Sequence, residues 1–342
     1  MESIYNFTEK ELKNKLSSNG FPGYTARQVF EWVYEKKVQD FDLMSNLSRE
    51  LRGFLKENFS ILKLSLIKKE KSSDRVEKFL FELEDGLAIE TVLIPESSRS
   101  TLCVSTQVGC KFKCLFCASG EKGFKRNLTA AEIVNQYLTV ASIRVSPKIT
   151  NIVFMGIGEP LDNFENTVNS INILMNSAGI NFSKRRISIS TCGLVPEIKE
   201  LAKLKLGIKL SVSLHSADNS IRNKLMPINE KYPIEELILA IREFSKESKD
   251  RVTFECVLIQ GINTSVDDAR KLAKLINGVG GKANLIPYNG VCSEFKAPVQ
   301  EEVDIFSQEL KKRGLFFTIR KSRGQDINAA CGQLKAKYLL EK

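Results

Sequence analysis

Leu102-Cys103-Val104-Ser105-Thr106-Gln107-Val108 is an apolar, β-branched run, and the next one, Asn151-Ile152-Val153-Phe154-Met155, arrives only after a helical pattern. That pattern starts at Thr129, which caps through Glu132 into Ile133, Tyr137 and Ala141. The rhythm continues through Arg186–Thr191, Ile208–Leu214, Val252–Ile259, Ala283–Tyr288 and Leu315–Arg320, with helical stretches such as Val266–Ile276 between most of them. Strands alternating with helices predict parallel βαβ units with right-handed crossovers. Repeated this often, they predict an α/β fold that is a barrel or part of one. Ligand sites in such folds lie at the carboxyl ends of the strands, so the residues just after each run are the functional candidates.

Upstream the pattern differs. Thr8 and Glu11 form a capping box before a short helix that stops near Gly20; Val29, Trp32 and Val33 give the apolar stripe of a second helix, and Leu47, Leu51, Phe54 and Leu55 a third. Val76–Glu84 and Leu87–Ile94 flank Asp85-Gly86, a hairpin signal. The chain is therefore expected to divide into a helical accessory domain over 1–60, a small β-hairpin extension over 61–96 and the repeating part over 97–342. The boundary is expected around Pro95–Ser100.

The 342 residues carry 51 Lys/Arg against 41 Asp/Glu, a net +10 that attracts polyanions, nucleic acid above all. Ordinary globular composition, with 42% hydrophobic and 27% charged residues, excludes collagen, coiled coil and wholesale disorder. No apolar stretch is long enough to span a membrane and the N-terminus lacks a signal-peptide core, so a cytoplasmic protein without membrane attachment is expected. In that reducing compartment eight cysteines point to metal binding or chemistry rather than structural disulfides. A single histidine, His215, removes every scheme that needs two.

Three cysteines within eight positions, Cys110-Lys111-Phe112-Lys113-Cys114-Leu115-Phe116-Cys117, follow the first strand of the repeating part. Closely spaced thiolates of this kind hold Fe–S clusters, and three ligands on a four-iron cube leave one iron open to a small molecule. The competing reading is a zinc site completed by Cys103, although a residue seven positions back along a strand is poorly placed for a tetrahedral loop site. Cys192, Cys256 and Cys292 match no ligand spacing and read as packing residues.

The C-x3-C-x-aromatic-C spacing, with Phe116 as the aromatic, resembles the signature of radical S-adenosylmethionine (SAM) enzymes, which are six-stranded partial (β/α) barrels. The flanking motifs narrow the likeness. They are Cys103–Cys110, Gly123-Phe124-Lys125-Arg126-Asn127-Leu128, Gly156-Ile157-Gly158-Glu159-Pro160, Ser188–Thr191, Ser213-Leu214-His215, Leu225–Asn229 and Asp326–Leu334. Together they resemble the RlmN/Cfr family of RNA adenine C-methyltransferases, and Tyr24-Thr25-Ala26-Arg27-Gln28 with Trp32 resembles its accessory helical domain.

The resemblance implies a [4Fe-4S] cluster on Cys110, Cys114 and Cys117 whose open iron is chelated by SAM, which is cleaved to methionine and a 5′-deoxyadenosyl radical. It implies two SAM molecules per turnover: one methylates the thiol of Cys331, and the other supplies the radical that takes a hydrogen from that methyl before its carbon adds to adenine. Cys103 is implied as the thiol that resolves the resulting crosslink through a disulfide with Cys331, and Glu90 as proton acceptor. On strand alternation alone Glu90 is expected to be exposed. Gly158, Glu159, Ser190, Ser213, Leu214, His215 and Asn289 are the implied SAM pocket. Here Gly158 is expected to let the backbone approach the ligand, and Glu159 to accept from its amino group. Nine Lys/Arg in residues 311–342 against Asp326 and Glu341 give the surroundings of Cys331 a positive charge, suited equally to thiolate activation and to RNA phosphates.

The implied substrates are ribosomal RNA, at carbon 2 of an adenine in the peptidyl transferase centre, and transfer RNA near the anticodon. The implied electron donor is a flavodoxin or ferredoxin, and the enzyme is expected to be a monomer. Three alternatives remain at this point: a carbon 8 methyltransferase of the antibiotic-resistance type, another radical SAM class such as a glycyl-radical activase, and a non-enzymatic metal-binding RNA module.

Overall fold

A computed structural model describes residues 1–121, 123–143, 148–248 and 251–336. The N-terminal unit contains β1 (Glu2–Ser3), α1 (Glu9–Ser18), α2 (Thr25–Phe30), α3 (Arg49–Asn58) and β2 (Phe59–Ser60), with β1 and β2 pairing in parallel. The capping box at α1 forms as expected: Thr8 Oγ1 accepts from Glu11 N at 3.3 Å and Thr8 N donates to Glu11 Oε2 at 2.8 Å. Leu12, Leu16, Val29, Val33, Leu51 and Leu55 are buried, the stripes that helical periodicity marks, whereas Trp32 is half-buried.

Four strands then run as an antiparallel meander, β3 (Ser65–Lys71), β4 (Glu77–Glu82), β5 (Ala88–Pro95) and β6 (Ser100–Val104). Strand β3 carries Lys68, Lys69, Glu70 and Lys71 on an edge, a charged pattern that protects it from further pairing and hides it from a search for apolar runs. The stretch expected as a domain boundary is instead a turn inside one sheet. Pro95 pairs with Ser100, and Glu96 N donates to Arg99 O at 2.8 Å, so the hairpin is continuous with the repeating part.

Beyond β6 come β7 (Gln107–Val108), β8 (Arg126–Asn127), α4 (Ala130–Ile143), β9 (Asn151–Phe154), α5 (Phe164–Met175), β10 (Ile187–Thr191), α6 (Val195–Lys203) and β11 (Lys209–Ser213). After these follow α7 (Asn219–Leu225), α8 (Ile228–Lys231), α9 (Ile234–Ser248), β12 (Thr253–Leu258), α10 (Val266–Asn277), β13 (Lys282–Pro287), α11 (Gln300–Lys312) and β14 (Phe317–Ile319). Strands β6, β9, β10, β11, β12, β13 and β14 are all parallel neighbours in that order, so six βα units precede a short seventh strand. This is the expected partial (β/α)6 barrel, with β3–β5 extending its first edge.

Period 2 sets what each strand shows to either side. In β10 and β11 the apolar Ile187, Ile189, Leu210 and Val212 are buried in the core, while Ser190 and Ser213, on the opposite face, line the interior cavity. The N-terminal unit packs on α4 and α5: Ala131 N donates to Asn6 Oδ1 at 2.9 Å, and Asn176 Nδ2 to Glu9 Oε2 at 2.8 Å.

Candidate functional site

The cysteine loop is tied at its base by the β7–β8 pair, where Gln107 faces Asn127 and Val108 faces Arg126. Gly109 turns the chain into the loop at φ +75°, where a Cβ would fall 1.8 Å from Gly123 O, so only glycine fits. Cys110, Cys114 and Cys117 all line one cavity at the carboxyl ends of the parallel strands. Burial pushes the Cys110 thiol up to about 12 and those of Cys114 and Cys117 upward as well, so these groups become thiolates only when a positive centre binds them.

Among the described residues no three His, Cys, Asp or Glu side chains converge closely enough for one metal ion. Tetrahedral zinc requires sulfurs about 3.8 Å apart; a four-iron cube takes its ligands from a wider ring. Cys103, the fourth ligand of the competing zinc reading, lines a neighbouring cavity that it shares with Cys117 and Cys331.

Most of the expected SAM pocket faces the larger cavity: Gly158, Glu159, Ser190, Ser213, His215 and Asn289 line it, with Phe112, Phe116, Met226 and Tyr288 as apolar wall. Leu214 does not. It is fully buried in the core, and its N–H is taken by Glu255 O at 3.0 Å. The requirement for glycine at 158 also has another cause than ligand approach: φ is +101° and a Cβ would lie 2.5 Å from Gln107 Cβ, so the protein itself forbids a side chain.

Glu159 is a crosslink, with Oε1 accepting from Leu161 N at 3.0 Å and Oε2 from Cys192 N at 2.7 Å. Burial raises its carboxyl to about 7 against those bonds. His215 sits at φ +59° against Phe116, ring centroids 4.2 Å apart. Its Nδ1 accepts from Val257 N at 3.0 Å, so Nε2 carries the proton, and that buried N–H has no partner. Burial, then Arg222, lowers the imidazole to about 3, which keeps it neutral.

The segment bearing Cys331 is clamped from three sides. Asn289, expected as a SAM contact, donates from Nδ2 to Cys331 O at 3.1 Å and accepts at Oδ1 from Ser322 Oγ and from Gln325 Nε2 at 3.0 Å. Gly332 O accepts from Ala118 N at 2.7 Å, seating the segment on the cysteine loop. The hairpin supplies the third clamp: Arg323 Nε donates to Asp74 Oδ2 at 2.8 Å, Ser73 N to Asp326 Oδ2 at 3.0 Å, and Lys78 Nζ to Ile327 O at 2.6 Å.

Cys331 is exposed, lines both cavities and is a free thiol, as is Cys103, whose burial pushes it up to about 12. The basic C-terminal segment is not gathered around Cys331 as its composition implies. Among the described cations of this segment Arg320 alone lines both cavities, and a charge on Cys331 is the chief cause that raises its guanidinium. Arg323 faces only the smaller cavity and pairs with Asp74, while Lys335 pairs with Glu121 at 2.9 Å. Lys337 and Lys342 lie outside the described residues.

Glu90 is buried, against the expectation from alternation, because β5 is an interior strand of the sheet. Its Oε2 accepts from Lys335 N at 2.8 Å and Ala336 N at 3.0 Å, and its Oε1 meets Lys78 Nζ at 3.3 Å. It lines neither of the two cavities that hold the cysteines.

Four participants escaped sequence reasoning. Arg320 closes the last apolar run, where the rule of carboxyl strand ends pointed; Cys192, set aside as packing, lines the large cavity. Lys78 and Arg222 carry no local signal, because what marks them is burial among partners as far as 249 and 30 residues away in sequence.

A parallel partial barrel with three loop cysteines at its carboxyl end defines a radical SAM enzyme. Residues 104–276 match the radical SAM superfamily, and residues 3–61 match the ribosomal RNA large subunit methyltransferase N-terminal domain. The chain belongs to the RlmN family: it is 45% identical to a probable dual-specificity RNA methyltransferase RlmN from Spiroplasma citri, over 98% of both chains. It is also 45% identical to the dual-specificity RNA methyltransferase RlmN of Syntrophotalea carbinolica, over 98% of this chain and 90% of that protein. A radical SAM methyltransferase from Sphaerobacter thermophilus superposes with a TM-score of 0.91 at 43% identity, covering 98% of this chain and all of that one.

The superfamily implies a [4Fe-4S] cluster and SAM. The residues present fit both: three thiols ring one cavity, and the unpartnered Nε2–H of a neutral His215 offers a donor in its wall.

Proposed function

We propose that this enzyme methylates carbon 2 of an adenine in large-subunit ribosomal RNA, at the peptidyl transferase centre, and in transfer RNA near the anticodon, passing the methyl through Cys331. The observation that carries the reading is the shared cavity of Cys331 and Cys103, which adjoins the cysteine loop at Cys117. Carbon 2 of adenine and the methyl of SAM are both electrophiles, so a polar transfer between them lacks a nucleophile; a thiol that first accepts the methyl removes that obstacle.

Cys110, Cys114 and Cys117 would hold a [4Fe-4S] cluster, which would supply the electron for reductive cleavage of SAM. Cys331 Sγ takes the methyl from the first of two SAM molecules used per turnover, with the Arg320 guanidinium lining the same two cavities. Asn289 and Gly332 O hold that sulfur between the two cavities. The methyl on Cys331 first gives up one hydrogen atom to the deoxyadenosyl group cleaved from the second SAM; once its carbon has bonded to adenine, the adduct gives back one electron and Glu90 accepts the ring proton, which requires residues 335–336 to lift from its carboxylate. Cys103 Sγ, having given up its proton, then attacks Cys331 Sγ; the S–S bond forms as the S–C bond breaks, and the carbon leaves with the electron pair and takes up a proton to become the methyl group.

The electron donor on this reading is a flavodoxin or ferredoxin, and the enzyme acts as a cytoplasmic monomer; among the described residues no helix is long and apolar enough to cross a membrane. Mass mapping of ribosomal and transfer RNA from cells with and without the enzyme tests the proposal. Loss of 2-methyladenosine from both RNAs is expected; loss of 8-methyladenosine, or no change in either, overturns it.

A further inference from the structure

Arg222 on α7 is the largest fully buried side chain of the described residues, with no exposure. Its Nη1 donates to Asn229 Oδ1 at 2.6 Å and its Nη2 to Cys192 O at 2.7 Å and Ser213 O at 3.2 Å, all neutral acceptors. Its Nε is buried without a partner, and no carboxylate is among the acceptors of its Nη groups. A buried guanidinium costs several kcal/mol unless an anion offsets it. Even so, burial lowers it only to about 10, so it remains a cation at neutral pH.

The guanidinium lies behind one wall of the large cavity. Cys192 and Ser213, whose carbonyls it holds, both line the large cavity, and a thiolate at Cys192 or Cys114 would favour its ionised form. The backbone joins the same two elements: Leu115 N, next to Cys114, donates to Leu225 O at the end of α7. Arg222 does not itself line the cavity, so it acts on what the thiols hold rather than as a direct contact of a ligand there.

We propose that Arg222 is the buried counter-charge of the thiolate-bound cluster, holding its reduction potential up by stabilising the more negative, reduced state. A fixed cation behind Cys114, in a water-free wall, interacts more strongly with the cluster than surface lysines do. A three-thiolate cluster gains one negative charge on reduction, so the cation favours the reduced form. The inference rests on Cys110, Cys114 and Cys117 holding the cluster, a premise checked separately by iron content and the reduced cluster's electron paramagnetic resonance signal in the unaltered enzyme.

The experiment is an anaerobic redox titration of reconstituted full-length protein, followed by that signal, for the unaltered enzyme, Arg222→Gln and Arg222→Lys. Arg222→Gln is expected to lower the reduced-to-oxidised ratio at fixed potential at least tenfold, a shift of about 59 mV to more negative values for one electron. Arg222→Lys, which keeps the charge, is expected to stay within threefold of the unaltered enzyme. Loss of iron in the glutamine variant with retention in the lysine variant also supports the counter-charge. An unchanged potential in Arg222→Gln overturns it. So does equal loss of iron in both variants when both melt cooperatively, which would assign Arg222 to shaping the wall. Should Arg222→Gln not fold, a tenfold shift in Arg222→Lys alone overturns it.

Discussion

Asn289 Nδ2 donates to the carbonyl oxygen of Cys331 at 3.1 Å, joining the end of β13 to a residue 42 positions later. The same side chain accepts from Ser322 and Gln325, and Gln333 Nε2 donates to its backbone oxygen at 2.9 Å, so the cysteine-bearing segment folds around this asparagine. Asn289→Ala removes three side-chain hydrogen bonds worth about 1 kcal/mol each. The expected result is a fall in the rate of Cys331 methylation by up to about 100-fold, at about 1.4 kcal/mol per factor of ten, with iron content intact. Single-turnover mass spectrometry of the Cys331 peptide checks it; an unchanged rate would show that the segment is placed by its other clamps.

Cys331 in protein purified from cells is expected to carry one methyl, a gain of about 14 Da on its tryptic peptide. Its exposure and its proximity to Arg320 make it the thiol open to alkylation, while Cys103 is buried and raised to about 12. A peptide that stays unmodified after incubation with SAM refutes the two-step transfer.

Cys103→Ala is expected to keep its iron and to methylate Cys331, yet to accumulate as a covalent RNA adduct because no thiol is left to displace the base. The shifted band on a denaturing gel should vanish in Cys103→Ala/Cys331→Ala. Normal turnover by the single variant would make Cys103 incidental, and loss of iron would return it to the metal site.

Replacing Cys110, Cys114 or Cys117 by Ala should abolish activity and remove the brown chromophore and its iron together, since two thiolates hold a four-iron cube poorly. Full iron content in any one of these variants would move the cluster away from this cavity.

His215, the sole histidine, is expected to give an imidazole resonance that does not titrate between pH 8 and pH 4, because its folded-state value is lowered from 6.5 to about 3. A lowered value stabilises the fold above pH 6.5, and that contribution is lost as pH falls toward 3. Glu159, raised from 4.5 to about 7, acts oppositely, its contribution being present below pH 4.5 and lost as pH rises through 7. Between pH 7 and 5 the two offset one another, so nuclear magnetic resonance of the single imidazole is the decisive measurement. A midpoint near 6.5 would mean that His215 is solvated.

The barrel and its cysteine loop were legible in the chain because their signals are local. Strand runs recur with a period of 2, helices cap themselves within three residues, as Thr8 does with Glu11, and three cysteines fall within eight positions. The family motifs added the thiols and most of the cavity lining by likeness. Long-range closure decided the rest. Alternation left Glu90 exposed, but pairing of β4 and β6 on either side of β5 buries it, and backbone N–H groups 245 and 246 residues later cap its carboxylate. Composition surrounded Cys331 with nine cations, yet side-chain reach and packing leave Arg320 beside it and send Arg323 to Asp74. The charged edge strand β3 and the buried Arg222 gave no pattern to read, since an edge needs no apolar period and a buried cation is defined by partners the chain supplies from elsewhere.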